Sequence, residues 1–193
     1  MMFPTVRASL MTVVAGFVCA ALNVSAQGQV QNFTPVTDAV LQDPDPEDWL
    51  SWRRTLDGWG YSPLDQVNRD NVGSLRLVWT RPLRPGGQEG TPLAYGGALY
   101  FPNPNDILQA IDAVTGDLIW EYRRDLPDDL GDYLIASLMD TNRNLAVWNN
   151  LIIDTSTDDY VFALDATTGE LVRNPNERLL LQALFLDLPR AGG

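Results

Sequence analysis

The sequence contains no histidine and no lysine, and its one cysteine is Cys19. Without histidine, neither a Ser-His nor a Cys-His nucleophile can be assembled, and the commonest transition-metal ligand is missing. With one cysteine there is no internal disulfide, no Cys-x-x-Cys-His haem attachment and no multi-thiolate metal site. Positive charge is also scarce: thirteen arginines stand against twenty-five acidic residues, a formal charge of −12. A surface so acidic repels a nucleic-acid backbone or an anionic membrane, so no nucleic-acid partner is expected.

The longest apolar run is short. Arg7 precedes "ASLMTVVAGFVCAALNV", and "VSA" at Val24–Ala26 supplies small residues where a signal peptidase cuts. A basic start, an apolar middle and a small-residue end read as a secretory signal over 1–26, with periplasmic location as the expectation. The run is brief for a bilayer span. Val18 before Cys19 does not suit a lipoprotein signal, and cleavage after Ala26 would remove the cysteine.

Two acidic clusters, "DPDPED" (Asp43–Asp48) and "DLPDDLGD" (Asp125–Asp132), lack the alternating Asp-x-Asp-x-Asp-Gly spacing of a calcium loop and read as solvated loops. Residues 27–47 are polar and unpatterned, a leader or linker. Residues 173–193, "RNPNERLLLQALFLDLPRAGG", show no strand-turn pattern and read as an irregular or frame-altered tail; "ERLLLQALFLDL" could form a short amphipathic helix.

The informative part is the stretch between them, which repeats. "AIDAVTGDLIW" (Ala110–Trp120) recurs as "ALDATTGELVR" (Ala163–Arg173), 53 residues on, with six identities and three conservative exchanges. Upstream, Leu93 and Leu99 align with Leu145 and Leu151 at a spacing of 52. A period near 50 belongs to stacked or radial architectures. In the first unit, strands are predicted at Leu93–Tyr95, Ala98–Phe101, Ile107–Asp112 and Asp117–Tyr122. "GG" at 96–97 and "NN" at 149–150 suit two-residue hairpins, and "TG" at 115–116 and 168–169 suits a tight turn with glycine at positive φ. Each unit therefore reads as a four-stranded antiparallel meander, the second incomplete. Such a sheet must bury two faces and protect two edges, which repetition around an axis achieves. The expected fold is all-β: an incomplete β-propeller over 48–172.

The phrase Ala-x-Asp-x-x-Thr-Gly-x-x-x-Trp, intact at Ala110, Asp112, Thr115, Gly116 and Trp120, resembles the tryptophan-docking motif of the pyrroloquinoline quinone (PQQ) dependent alcohol dehydrogenases. Ser62, Pro63, Leu64, Asn68, Asn71 and Val72 resemble that family's N-terminal Ser-Pro-Leu…Asn-x-x-Asn-Val segment. "QEGTPL" at Gln88–Leu93 looks like its first-blade start, and the second unit looks like its second blade. The resemblance covers 48–172 and implies an eight-bladed propeller with PQQ and a calcium or lanthanide ion on its axis. In the family each motif tryptophan packs on the next blade near its motif glycine. An aspartate takes the alcohol proton as hydride passes to the quinone, and electrons leave to a periplasmic cytochrome or membrane quinone.

Two cofactor-binding residues carry over. Glu89 matches the family's cofactor-contacting glutamate, and Arg143, in "TNRNLA", matches its arginine in Asn-Arg-Gly. A planar guanidinium suits the three carboxylates of PQQ, with Glu89 orienting it. Read without the resemblance, Glu89 is a turn residue and Arg143 a surface ion-pair partner. No catalytic residue and no metal ligand of the family falls within this sequence, so a chain inactive by itself is expected. The adjacent cysteines that many family members place six and five residues before the arginine are Ser137 and Leu138 here, which points to a branch without that disulfide. Arg173 replaces the second docking tryptophan. Two other readings stand beside the dehydrogenase: a non-catalytic PQQ-repeat propeller serving as an envelope scaffold, and a small acidic binding module.

Overall fold

The structure is a computed structural model that describes residues 28–132, 143–158 and 160–172. The expected signal peptide, Ser137, Leu138 and the tail beyond 172 lie outside the described residues.

Two antiparallel sheets follow one another along the chain. The first has β1 (Leu93–Tyr95), β2 (Ala98–Asn103), β3 (Ile107–Asp112) and β4 (Leu118–Arg123), hydrogen-bonded in that order. The second has β5 (Ala146–Trp148), β6 (Leu151–Thr155) and β7 (Val161–Asp165) in the same arrangement. A bridge between Leu164 and Leu171 begins a fourth strand there. Both two-residue hairpins fall where the turn residues placed them. Gly96 and Gly97 both take positive φ, 60° and 79°, as a tight hairpin matched to strand twist requires. Asn149, at φ 53°, opens the equivalent hairpin.

The repeated Asp-x-x-Thr-Gly phrase is a capped turn. Asp112 Oδ1 accepts from the backbone N–H groups of Val114 (2.9 Å) and Thr115 (2.8 Å). Asp165 Oδ1 does the same for Thr167 (2.9 Å) and Thr168 (3.0 Å). The glycine that ends each turn donates to the aspartate carbonyl, at 2.9 Å for Gly116 and 2.8 Å for Gly169. One carboxylate thus satisfies two donors that the reversal would leave bare.

Those turns are also docking platforms. Trp120, at the centre of β4, is fully buried against the second sheet, and its Nε1 donates to Ala166 O at 3.1 Å. A Cβ added to Gly169 would lie 2.6 Å from the Trp120 ring, so only glycine lets the indole lie flat on the backbone. Trp79 repeats the contact one step earlier. Its Nε1 donates to Ala113 O at 3.3 Å, and a Cβ on Gly116 would lie 2.5 Å from its ring. The sequence reading missed Trp79, although "LVW" at 77–79 matches "LIW" at 118–120 and Gly116 needs a ring.

Residues 27–47 depart from the leader or linker expected of them. The described part, with residues up to 50, crosses the turn end of both sheets as a strap. Gly28 N–H donates to Ile119 O (2.8 Å) and Val30 N–H to Thr167 O (3.0 Å). Val36 exchanges backbone hydrogen bonds with Asn149 (2.8 Å each), and Trp49 with Ala94 (2.9 Å each). Val30, Val36 and Leu50 are buried in the same core as Leu93, Tyr100 and Trp120, and Phe33 packs edge-on to Tyr95 and Tyr100. Between these anchors Thr37 caps the short α1 (Asp38–Gln42). The strap is polar overall because only every third to sixth side chain points inward, a spacing that matches neither helix nor strand.

The opposite end of the two sheets is joined by polar groups. Asp106, buried in the β2–β3 turn, accepts from Ser156 Oγ and from the N–H of Thr157 (3.1 Å) in the β6–β7 turn. Beside it Arg124 grips Asp158 with two hydrogen bonds, 2.8 and 3.1 Å, and lies over the rings of Tyr160 and Phe162.

Candidate cofactor site

Glu89 and Arg143 stand at the strap-free end, each just ahead of the first strand of its sheet. Thr91 and Asn144 form a parallel bridge, and Thr91 N–H donates to Arg143 O at 2.9 Å, so β1 and β5 start side by side. That bridge brings together two side chains 54 positions apart in sequence: Arg143 Nε donates to Glu89 Oε2 at 2.7 Å. Both are about half exposed, at 54 %. Glu89 and Arg143 therefore meet as a half-exposed ion pair, a contact common to both readings of these residues.

The backbone beneath Glu89 is fixed from two sides. A Cβ on Gly90 would meet Pro102 of β2 at 2.6 Å, so the chain passes β2 more closely than any other residue allows. Upstream, a polar network ties 84–88 to the first sheet. Buried Asn103 accepts from the Arg84 N–H (3.4 Å) and from Gln88 Nε2 (3.4 Å), and donates to Gln109 Oε1 (3.3 Å). Gln109 Nε2 in turn donates to Glu121 Oε2 at 2.6 Å, and Arg84 reaches both Glu121 oxygens at 3.1 Å. Arg123 completes the group, 2.7 Å from Glu121 Oε1. Burial by itself would raise the Glu121 carboxyl, but hydrogen bonds from Gln109, Arg84 and Arg123 hold it below the ordinary glutamate range. Sequence reasoning did not find this network; its members are scattered over four segments that only the sheet register aligns.

Asp158 and Asp165 are likewise held below the ordinary aspartate range. Burial pushes both up, and the Arg124 and Ser156 hydrogen bonds at Asp158, and the Thr167, Thr168 and Asn150 bonds at Asp165, more than offset it. A carboxylate with a depressed folded pKa contributes stability above its unfolded value and loses it as pH falls through the folded one. The urea midpoint is therefore expected to hold from neutrality to about pH 5 and to fall steadily below about pH 4. Asp48, raised by burial and by Asp45 and Glu47, works in the opposite sense and blunts the fall. A midpoint unchanged down to about pH 2 would contradict this assignment of the carboxylates.

Among the described residues, no three Asp, Glu, His or Cys side chains converge to hold a metal ion, and no helix is long and apolar enough to cross a membrane.

Consecutive antiparallel meanders, the first docked on the second by Trp120 over Gly169 and Trp79 docked in the same way on Gly116, are the construction of a β-propeller. Residues 49–175 match the PQQ family model described as the glucose/ethanol/alcohol dehydrogenase β-propeller domain, and the chain belongs to that family. It is 38 % identical, over 173 residues, to the dehydrogenase subunit of the quinone alcohol dehydrogenase of Gluconacetobacter polyoxogenes, which covers 86 % of this chain and 23 % of that protein. It is 37 % identical over 132 residues to the quinohemoprotein alcohol dehydrogenase ADH-IIG of Pseudomonas putida, covering 68 % of this chain and 18 % of the relative. The solved ADHIIG structure from Pseudomonas putida HK5 superposes with a TM-score of 0.65 at 32 % identity, over 73 % of this chain and 21 % of that one. A europium-containing methanol dehydrogenase superposes at 0.63 with 28 % identity, over 71 % and 24 %. The chain thus spans about a quarter or less of the length of these relatives.

Proposed function

We propose that this chain is the N-terminal part of a periplasmic quinoprotein alcohol dehydrogenase, and that Arg143, oriented by Glu89, holds a carboxylate of PQQ. The observation that carries the reading is the Glu89–Arg143 pair, assembled where the first strands of two adjacent propeller sheets begin. In a propeller those strands border the central channel, where ligands are held. The donor chemistry fits: the Arg143 Nε is committed to Glu89, and the half-exposed guanidinium remains pre-oriented for an anionic, planar partner. Glu89 lowers the entropy lost on binding by fixing the arginine, and Gly90 and the Asn103–Gln109–Glu121 network fix Glu89.

PQQ, when bound, supplies a quinone able to accept hydride from an alcohol. This chain contributes binding and orientation; the general base and the metal ligands belong to the rest of such an enzyme, so the chain by itself is inactive. Its substrate in the complete enzyme is a small alcohol, its electron acceptor a periplasmic cytochrome or a membrane quinone, and its metal calcium or a lanthanide. Export rests on the leader ending at Ala26.

Titrating the purified chain with PQQ tests this. Arg143→Ala is expected to weaken binding by about 1.5–3 kcal/mol, tenfold or more, through loss of a charge-assisted contact. With PQQ, calcium and an artificial acceptor, ethanol turnover should stay at the buffer level. Equal PQQ affinity for both chains would leave the pair a surface ion bridge and refute its binding role; turnover by the chain alone would refute the division of labour.

A further inference from the structure

Tyr100 carries a polar atom that the fold buries and leaves unpaired. Its ring lies in the cross-strand row Leu93–Tyr100–Ala110–Trp120, on the face of the first sheet that packs against the second. Phe33 of the strap meets it edge-on at 6.3 Å and the Trp120 ring stands 5.9 Å away, so the phenol is clamped between the strap and the docked indole. Only 1 % of the residue is exposed, and its hydroxyl has no hydrogen-bond partner among the described residues. An O–H taken from bulk water without a new partner costs the fold its full desolvation penalty. Buried hydroxyls are therefore nearly always bonded, to protein or to an internal water.

The groups around that hydroxyl have bonding capacity left over. Asp165, whose turn lies beneath Trp120, directs Oδ1 to Thr167 and Thr168, while its Oδ2 accepts from Asn150 at 3.0 Å. A carboxylate oxygen has room for a second donor. On the strap side, the Thr34 and Tyr95 hydroxyls stand 2.7 Å apart, and the bond between them uses only one of their two hydrogens. Tyr95 is the diagonal neighbour of Tyr100, since it faces Ala98 in the register and packs on the same Phe33 ring at 5.1 Å. Burial, and then the charge of Asp165 and the phenol of Tyr95, push the Tyr100 hydroxyl above the ordinary tyrosine range, so it stays a donor. Neither neighbour bonds to it directly. We propose that the Tyr100 hydroxyl, Asp165 Oδ2 and the Thr34–Tyr95 pair hold one internal water, which ties the strap to both sheets from within the core. The water accepts from Tyr100 and from the spare hydroxyl of the strap pair, and donates to Asp165. It thereby makes about the three bonds usual for a buried water.

Tyr100→Phe keeps the ring and removes only the oxygen, so it tests the site without opening the core. Oxygen-17 relaxation dispersion should count one more long-lived water in the parent chain than in this variant, and the variant's urea midpoint should fall. Tyr61→Phe, at a phenol 68 % exposed, is the control and should change neither reading. Thr34→Val, which takes one hydroxyl from the strap side, should shorten the residence of the same water. Equal dispersion in the parent and Tyr100→Phe would overturn the proposal. With a lower midpoint, that result gives the hydroxyl a partner in the chain itself; with an equal or higher one, it leaves the hydroxyl unbonded. A residence time indifferent to Thr34→Val would overturn the tie to the strap.

Discussion

Trp120→Ala is expected to destabilise the chain by about 3–5 kcal/mol, the range for removing a large aromatic side chain from a packed core. The indole is fully buried, fills the space between the two sheets and covers Gly169. Beneath the ring the surface is backbone in a turn fixed by Asp165, which resists collapse into the void on that side. The lost N–H donor leaves the Ala166 carbonyl buried without its partner, which adds to the packing loss. Urea unfolding measures the effect, with Trp52→Ala as an exposed control. A loss for Trp120→Ala no larger than the control would mean that the sheets are not held by the docked ring.

The second large effect is expected at the other end of the sheets. Asp106→Ala removes an acceptor that is nearly inaccessible to water and leaves Ser156 Oγ and the Thr157 N–H without it. At about 1–3 kcal/mol for each buried donor so stranded, the loss approaches that of Trp120. The two substitutions act on opposite ends of one interface and should combine non-additively if the sheets separate as units. Hydrogen exchange supplies the decisive reading: Asp106→Ala should speed exchange in the β6–β7 turn before it affects β2 and β3. Uniform acceleration through both sheets would show that the clamp does not act locally.

Much of this architecture is legible in the sequence because the repeat encodes its own stereochemistry. Gly96–Gly97 and Thr115–Gly116 mark the reversals, Asp112 and Asp165 cap them, and Trp120 falls five residues or fewer beyond the turn it follows. Residues 93–123 were therefore readable strand by strand. The strap was not, since Val30, Phe33 and Val36 sit at intervals with no period, and their burial depends on sheets that lie far along the chain. Trp79 was hidden for a related reason. It lies outside the described strands, so no meander surrounds it to raise the signal. Glu89 and Arg143 were accessible only through the family motif; nothing in the residue types foretells that a parallel bridge at Thr91 and Asn144 brings them within 2.7 Å. The network around Glu121 shows the general limit, because cross-strand polar contacts become visible only once register is known.

The strap also sets the order in which the molecule can mature. Val30 is among the first described residues to be synthesised, yet its backbone hydrogen bond waits for Thr167, and that of Val36 for Asn149. Contacts closed over such separations form late, since the entropy of closing the loop precedes any reward from packing. In a nascent chain shorter than about residue 150 the strap can reach only the first sheet, through Gly28, Phe33 and Trp49, and its contacts at Asn149 and Thr167 wait for the second. The backbone hydrogen bonds of Val30 and Val36 are thus among the last to close, because they depend on residues of the second sheet.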